Sequence, residues 1–180
     1  MNRRTAFLRQ ARSDFAVFEH LARQERALVS ECHPLHYFQM ATEKLAKAAL
    51  DAAGALTDPY SHVAFSKMPY RLARADVARV LGFNNTRAYR GFLARTAPLF
   101  RAIDELSPAV GPRHPGGGPQ EGPNVEYPWA SRDSRGHATW IVPAEHDFRL
   151  LTKLQRSGEG AQVRDFVRVL LERFEIVFTG

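Results

Sequence analysis

Apolar residues recur at three- and four-residue intervals through most of this chain, so its dominant periodicity is helical. Leu8, Ala11, Phe15, Phe18 and Ala22 repeat among Arg and Glu and predict a first helix over Thr5 to Leu28. Pro34 suits a first helical position, where its missing N–H costs nothing. Leu35, Phe38, Leu45 and Ala49 then fall on one face of a second helix that ends near Ala53, with Gly54 as a natural stop. Asp58-Pro59 turns the chain, and a short helix is expected over Ser61 to Lys67. Pro69 opens another through Leu72, Val77, Val80 and Leu81, closed by Gly82. Asn84 or Asn85 caps the next, which carries Tyr89, Phe92, Leu93, Leu99 and Ile103 and should bend near Pro98, where an interior donor is missing.

The helical pattern fails from Ser107 to Pro123, where five Pro and five Gly can sustain neither helix nor strand, and a flexible loop is expected over 107–123. Residues 124–142 read as a small β-hairpin insertion. Val125 to Trp129 and Ala138 to Val142 are aromatic or β-branched, with Asp133-Ser134-Arg135-Gly136 as the turn. Pro143 starts a helix through Phe148, Leu151 and Leu154, and Ser157-Gly158-Glu159-Gly160 separates it from a final one. That last helix has a wide apolar face of Val163, Phe166, Val167, Leu170, Leu171, Phe174 and Val177. The expectation is one mainly α domain over 1–180 whose core includes Phe15, Phe18, Phe38, Leu45, Phe92, Phe166 and Leu170.

Composition narrows this picture. With 44% hydrophobic and 24% charged residues, the 180-residue chain has the balance of a globular domain. No apolar run approaches the roughly 20 residues that cross a bilayer, and the Met-Asn-Arg-Arg start leads into an amphipathic pattern. No membrane association and a cytoplasmic location are therefore expected. The single Cys32 excludes an intramolecular disulfide framework. The net charge of +6 is concentrated: Lys67, Arg71, Arg74, Arg79, Arg87, Arg90, Arg95 and Arg101 face only Asp76 between positions 67 and 101. Such a span can attract phosphates or an acidic partner, or can be a solvated helical face.

The second helix carries further information in its polar positions. His36, Met40, Glu43 and Lys47 form a second stripe, and Glu43 precedes Lys47 by four residues, the favourable orientation for an ion pair. Its aromatic-rich entry followed by Ala-Thr-Glu-Lys-Leu-Ala-Lys resembles the signature helix of HEPN domains, with His36, Glu43, Lys44 and Lys47 as the signature positions. HEPN domains are small helical domains of prokaryotic toxins, defence proteins and nucleotidyltransferase partners. The order of parts extends the resemblance over most of Thr5 to Phe178: Arg12-Ser13-Asp14 in a first helix, Ser61-His62 before a central helical region, and Tyr127-Pro128 before the terminal helices. Many members have an Arg before the Tyr-Pro element, where this chain has Glu126.

The resemblance implies an up-and-down helical bundle that often dimerises, acting in a toxin–antitoxin or defence system. Catalytic members are metal-independent ribonucleases that carry an Arg, a polar residue, three variable residues and a His, with His moving protons at the ribose 2′-hydroxyl and Arg opposing phosphate charge. The one match here is Arg132-Asp133-Ser134-Arg135-Gly136-His137, making Arg132 and His137 the candidate catalytic pair. Gly136 and the flanking Trp129 and Trp140 predict a turn between strands there instead of the opening of a long helix. The competing reading is a non-catalytic domain that binds an antitoxin, a nucleotidyltransferase or a nucleotide. In either case Arg71, Arg74, Arg79, Arg87, Arg90 and Arg95 are the candidate nucleic-acid-binding residues, and no cofactor is expected. His33 and His36 beside Cys32 lack a complete ligand set, so no metal is expected. His146 between Glu145 and Asp147 reads as an exposed cluster at a helix start, and Gly116-Gly117-Gly118 leads into Pro119 rather than a P-loop helix.

Overall fold

Asn2 starts the first helix: its side-chain oxygen accepts the Thr5 N–H at 2.9 Å, and α1 runs Arg3–Leu21. In this computed structural model, which describes residues 1–25, 28–56, 62, 64–108, 123–156 and 158–179, α1 stops well before Leu28. The exposed Arg23-Gln24-Glu25 offer nothing to bury. The end is also fixed from outside, because Gln155 Nε2 donates to the Ala22 carbonyl at 2.7 Å. α2 follows at Cys32–Ala52, with Cys32 buried in its first turn. It closes as the sequence predicts. Gly54, at a φ of 65°, lets the Ala55 N–H reach back to the Leu50 carbonyl at 2.8 Å while its own N–H bonds Asp51 at 3.1 Å.

The helix expected over Ser61 to Lys67 falls partly outside the described residues, and no helix occupies the described residues 64–67. The helix expected from Pro69 to Leu81 is two: α3 (Met68–Arg71) and α4 (Ala75–Val80). Leu72 and Val77 are five apart, which on a continuous helix would aim them about 140° from each other. The break at extended Arg74 lets both be buried. Gly82 then ends α4 in the same manner as Gly54 ends α2, with Phe83 N–H on the Ala78 carbonyl at 2.8 Å. α5 (Thr86–Asp104) is capped by Asn85, whose side chain accepts the Ala88 N–H at 2.8 Å, and it contains Pro98 on its exposed side.

Most of the loop expected over 107–123 lies outside the described residues. The hairpin is present but shorter than its apolar pattern. β1 (Trp129–Arg132) and β2 (Ala138–Ile141) are antiparallel, with Trp129 opposite Ile141 and Arg132 opposite Ala138. Val125 to Pro128 is not strand, because the buried Asn124 side chain takes the N–H groups of Glu126 and Tyr127 at 2.9 and 2.7 Å and curls the chain. A 3₁₀ turn at Pro143–Glu145 precedes α6 (Arg149–Arg156), so the helix starts later than Pro143. The final apolar run is divided at Arg173 into α7 (Gly158–Glu172) and α8 (Phe174–Thr179).

The fold is mainly α. α1 and α2 form the largest helix pair, and α6–α7 and α5–α7 follow. Phe15, Phe18 and Phe38 meet between α1 and α2 with ring centroids 4.6 to 6.3 Å apart. Phe92 and Phe166 meet at 5.5 Å between α5 and α7, and Phe65 stands edge-on to Phe100 at 5.1 Å. All seven residues expected in the core are buried in one cluster. Truncating one of these Phe rings to Ala typically costs about 3 to 5 kcal/mol. Trp129, His146 and Phe148 extend the core to the hairpin, where Glu31 Oε2 accepts the Phe148 N–H at 2.8 Å.

Candidate functional site

The Glu43–Lys47 end of the polar stripe of α2 turns inward, while His36 and Met40 are half-buried. Gln39, Glu43 and Lys47, one helical turn apart, are all buried. Glu43 Oε1 accepts from Lys47 Nζ at 2.6 Å, and its Oε2 accepts from Gln39 Nε2 at 2.9 Å. His62 brings its Nδ1 to the same Oε2, also at 2.9 Å, with its side chain 44% exposed. Burial alone would raise the Glu43 carboxyl. Hydrogen bonds from Lys47, His62 and Gln39, together with the Lys47 charge, outweigh it and hold the group below its ordinary value. The expected Glu43–Lys47 pair is thus present, but as a buried pair whose disruption strands a charge in the interior.

Neighbouring positions tie this helix to the rest of the molecule. Lys44 Nζ lies 3.1 Å from Asp14 Oδ2, and Gln10 holds the other oxygen of Asp14 at 2.8 Å. His36 Nδ1 stands 3.8 Å from Glu126 Oε1, linking α2 to the segment before the hairpin. Asp104, buried at the end of α5, accepts the Ser66 N–H at 2.9 Å and feels the Glu43 charge. Sequence reasoning marked His62 only as a landmark and missed Asp104. The signal for Asp104 was its place four residues after Phe100, on the apolar stripe of α5.

The basic span is outward. Arg71, Arg74, Arg79, Arg87, Arg90, Arg95 and Arg101 are all exposed, and among the described residues the one ion pair within the span joins Arg74 to Asp76 at 3.4 Å. On α5, Arg87, Arg90 and Arg101 share the face opposite the buried Tyr89, Phe92, Thr96 and Ile103. Arg95 sits to one side, on the rim of a cleft of about 350 Å³ between α5 and α7 that includes Phe83, Phe92, Asp165 and Phe166. Arg71, Arg74 and Arg79 belong to the α3–α4 segment, so the structure divides the expected surface between that segment and α5.

Arg132 and His137 flank the hairpin turn, not a helix. The Gly136 N–H bonds the Asp133 carbonyl at 3.0 Å, Gly136 has a φ of 83°, and the Asp133 N–H bonds the His137 carbonyl at 3.1 Å. Asp133 Oδ1 accepts the backbone N–H groups of Arg135 and His137 at 2.8 and 2.9 Å. The His137 N–H, then those of Arg135 and Gly136, hold the Asp133 carboxyl below its usual range. Its Oδ2 lies 3.2 Å from His137 Nδ1, while Arg132 Nη1 donates to the Gly136 carbonyl at 3.1 Å. The His137 side chain is 75% exposed, far from enclosed.

His33 is exposed while Cys32 is buried, so these neighbours point apart. Among the described residues no group of three His, Cys, Asp or Glu side chains could hold a metal ion. No helix among them is long and apolar enough to cross a membrane. The fold and site define a mainly helical protein with a buried polar seam in α2, an arginine face on α5 and an exposed β-hairpin. In comparisons with known proteins, no family model, curated protein or solved structure matches the chain.

Proposed function

We propose that this chain is an RNA-binding, HEPN-like component of a prokaryotic toxin–antitoxin or defence system, with α5 holding phosphates. The observation that carries this reading is the row of Arg87, Arg90 and Arg101 on the exposed face of a well-capped helix. Guanidinium groups suit phosphate because they offer paired donors with a permanent charge. Each phosphate contact releases counterions, so affinity should fall steeply with salt. The test measures binding of a fluorescent RNA across salt concentrations for the native chain and for the Arg87→Glu, Arg90→Glu double variant, with helical content checked by circular dichroism. A strong loss in the variant supports the reading. Binding unchanged by salt and by charge reversal removes this face from the reading.

A second reading, metal-independent RNA cleavage, draws on the hairpin turn. Asp133 holds one nitrogen of His137, an arrangement that orients an imidazole for general acid–base work, and Arg132 lies across the same turn. Cleavage in EDTA that needs the 2′-hydroxyl and disappears in His137→Ala would support it. RNA left intact by the native chain, alone or with a partner, leaves the binding reading.

A further inference from the structure

The β-hairpin exposes an aromatic side chain that the arginine face of α5 does not explain. Trp140 is 63% exposed, whereas the chain's other indole, Trp129, is buried. Strand register separates them: Ala130 faces Trp140 and Arg132 faces Ala138 across the ribbon. Because side chains alternate along each strand, Trp140, Arg132 and two alanines share one face, and Trp129 and Ile141 take the other, toward the core. On that face Ala130 is buried, while Arg132, Ala138 and Trp140 are exposed. Tyr127, in the segment entering β1, is also exposed.

Charge selects among occupants for this face. Arg132 and Arg135 lie in or beside the turn against one acid, Asp133, whose Oδ1 accepts from the N–H groups of Arg135 and His137, so two cations stand there against one anion. The exposed Arg135 and Trp140 give the hairpin a cation and an aromatic face, the combination that suits a phosphate backbone carrying an unstacked base.

We infer that the β1–β2 hairpin binds single-stranded RNA, with one unpaired base stacked on the exposed Trp140 and the adjacent phosphate held by Arg135. The inference rests on the RNA-binding reading above and supplies its substrate class, because a duplex has no free base face to offer an exposed indole. Stacking on one aromatic side chain changes affinity by roughly tenfold or more.

The test titrates a short oligouridylate and a blunt RNA duplex into the full chain while following tryptophan emission and affinity. The oligouridylate should quench Trp140, and the quench should vanish in Trp140→Leu, which keeps Trp129. Trp140→Ala should bind oligouridylate about tenfold more weakly and duplex equally well, and Trp140→Phe should recover part of the loss. RNA binding that depends on Arg87 and Arg90 but leaves Trp140 emission and the Trp140→Ala affinity unchanged overturns the hairpin site while the α5 reading stands. Dependence on Trp140 with none on Arg87 and Arg90 does the reverse. Sedimentation showing that Trp140→Ala turns a dimer into a monomer assigns the face to a second copy and also overturns the inference.

Discussion

Asp104 ends α5 with its carboxyl buried, and that burial, reinforced by the charge of Glu43, pushes its pKa up to about 6 despite hydrogen bonds from Ser66 and Phe65. The folded protein therefore keeps a proton that the unfolded chain releases near the ordinary Asp value of 3.8. This group's contribution is most favourable below about pH 4 and declines as pH rises to about 6, by about 2 to 3 kcal/mol in all. Urea unfolding followed across that range should show the decline in the native protein, and Asp104→Asn should remove it. Glu43 acts in the opposite sense. Its folded pKa is lowered, so its contribution is present above its ordinary value of 4.5 and is lost as pH falls through the folded pKa.

At the scale of elements, the α6–α7 pair depends on one missing side chain. A Cβ on Gly160 would lie 1.9 Å from the Lys153 carbonyl oxygen and 2.4 Å from its carbon, both backbone atoms that cannot swing aside. Gly160→Ala should therefore cost about 1 to 3 kcal/mol or more, even though Ala is the better helix former, and thermal unfolding will measure it. Exposed Gly158 has nothing near a Cβ and serves as the control, with Gly158→Ala expected to be neutral or mildly stabilising. The sequence marked Ser157 to Gly160 as a break between helices, whereas α7 already includes Gly158 to Gly160. Their use is close approach, which local pattern does not reveal. The same limit explains the other boundaries. Gln155 on the Ala22 carbonyl and Asn124 on the N–H groups of Glu126 and Tyr127 set element ends through contacts that residue spacing does not encode.

For the molecule as a whole, helical periodicity made the core legible because burial itself generates it, and Phe15, Phe18, Phe38, Phe92 and Phe166 all lie inside. The site was legible in part. Glu43 and Lys47 are neighbours on one helix, so spacing alone paired them, while the contacts of Glu43 with His62 and of Asp104 with Ser66 join separate segments. The burial of Cys32 has a practical consequence at this scale. It is the chain's only sulfhydryl, it is buried with the core in the first turn of α2, and burial raises its pKa despite hydrogen bonds from the backbone of Cys32 and His33. An alkylating reagent can reach it as a thiolate only when the helix end opens, so labelling becomes a clock for that opening. If opening requires unfolding of the whole bundle, iodoacetamide should react at least about a thousandfold more slowly than with a free thiol, and Leu45→Ala should quicken the reaction in step with its loss of stability. Fast labelling that ignores Leu45→Ala would instead mean that the first turn of α2 frays while the rest of the bundle stays closed.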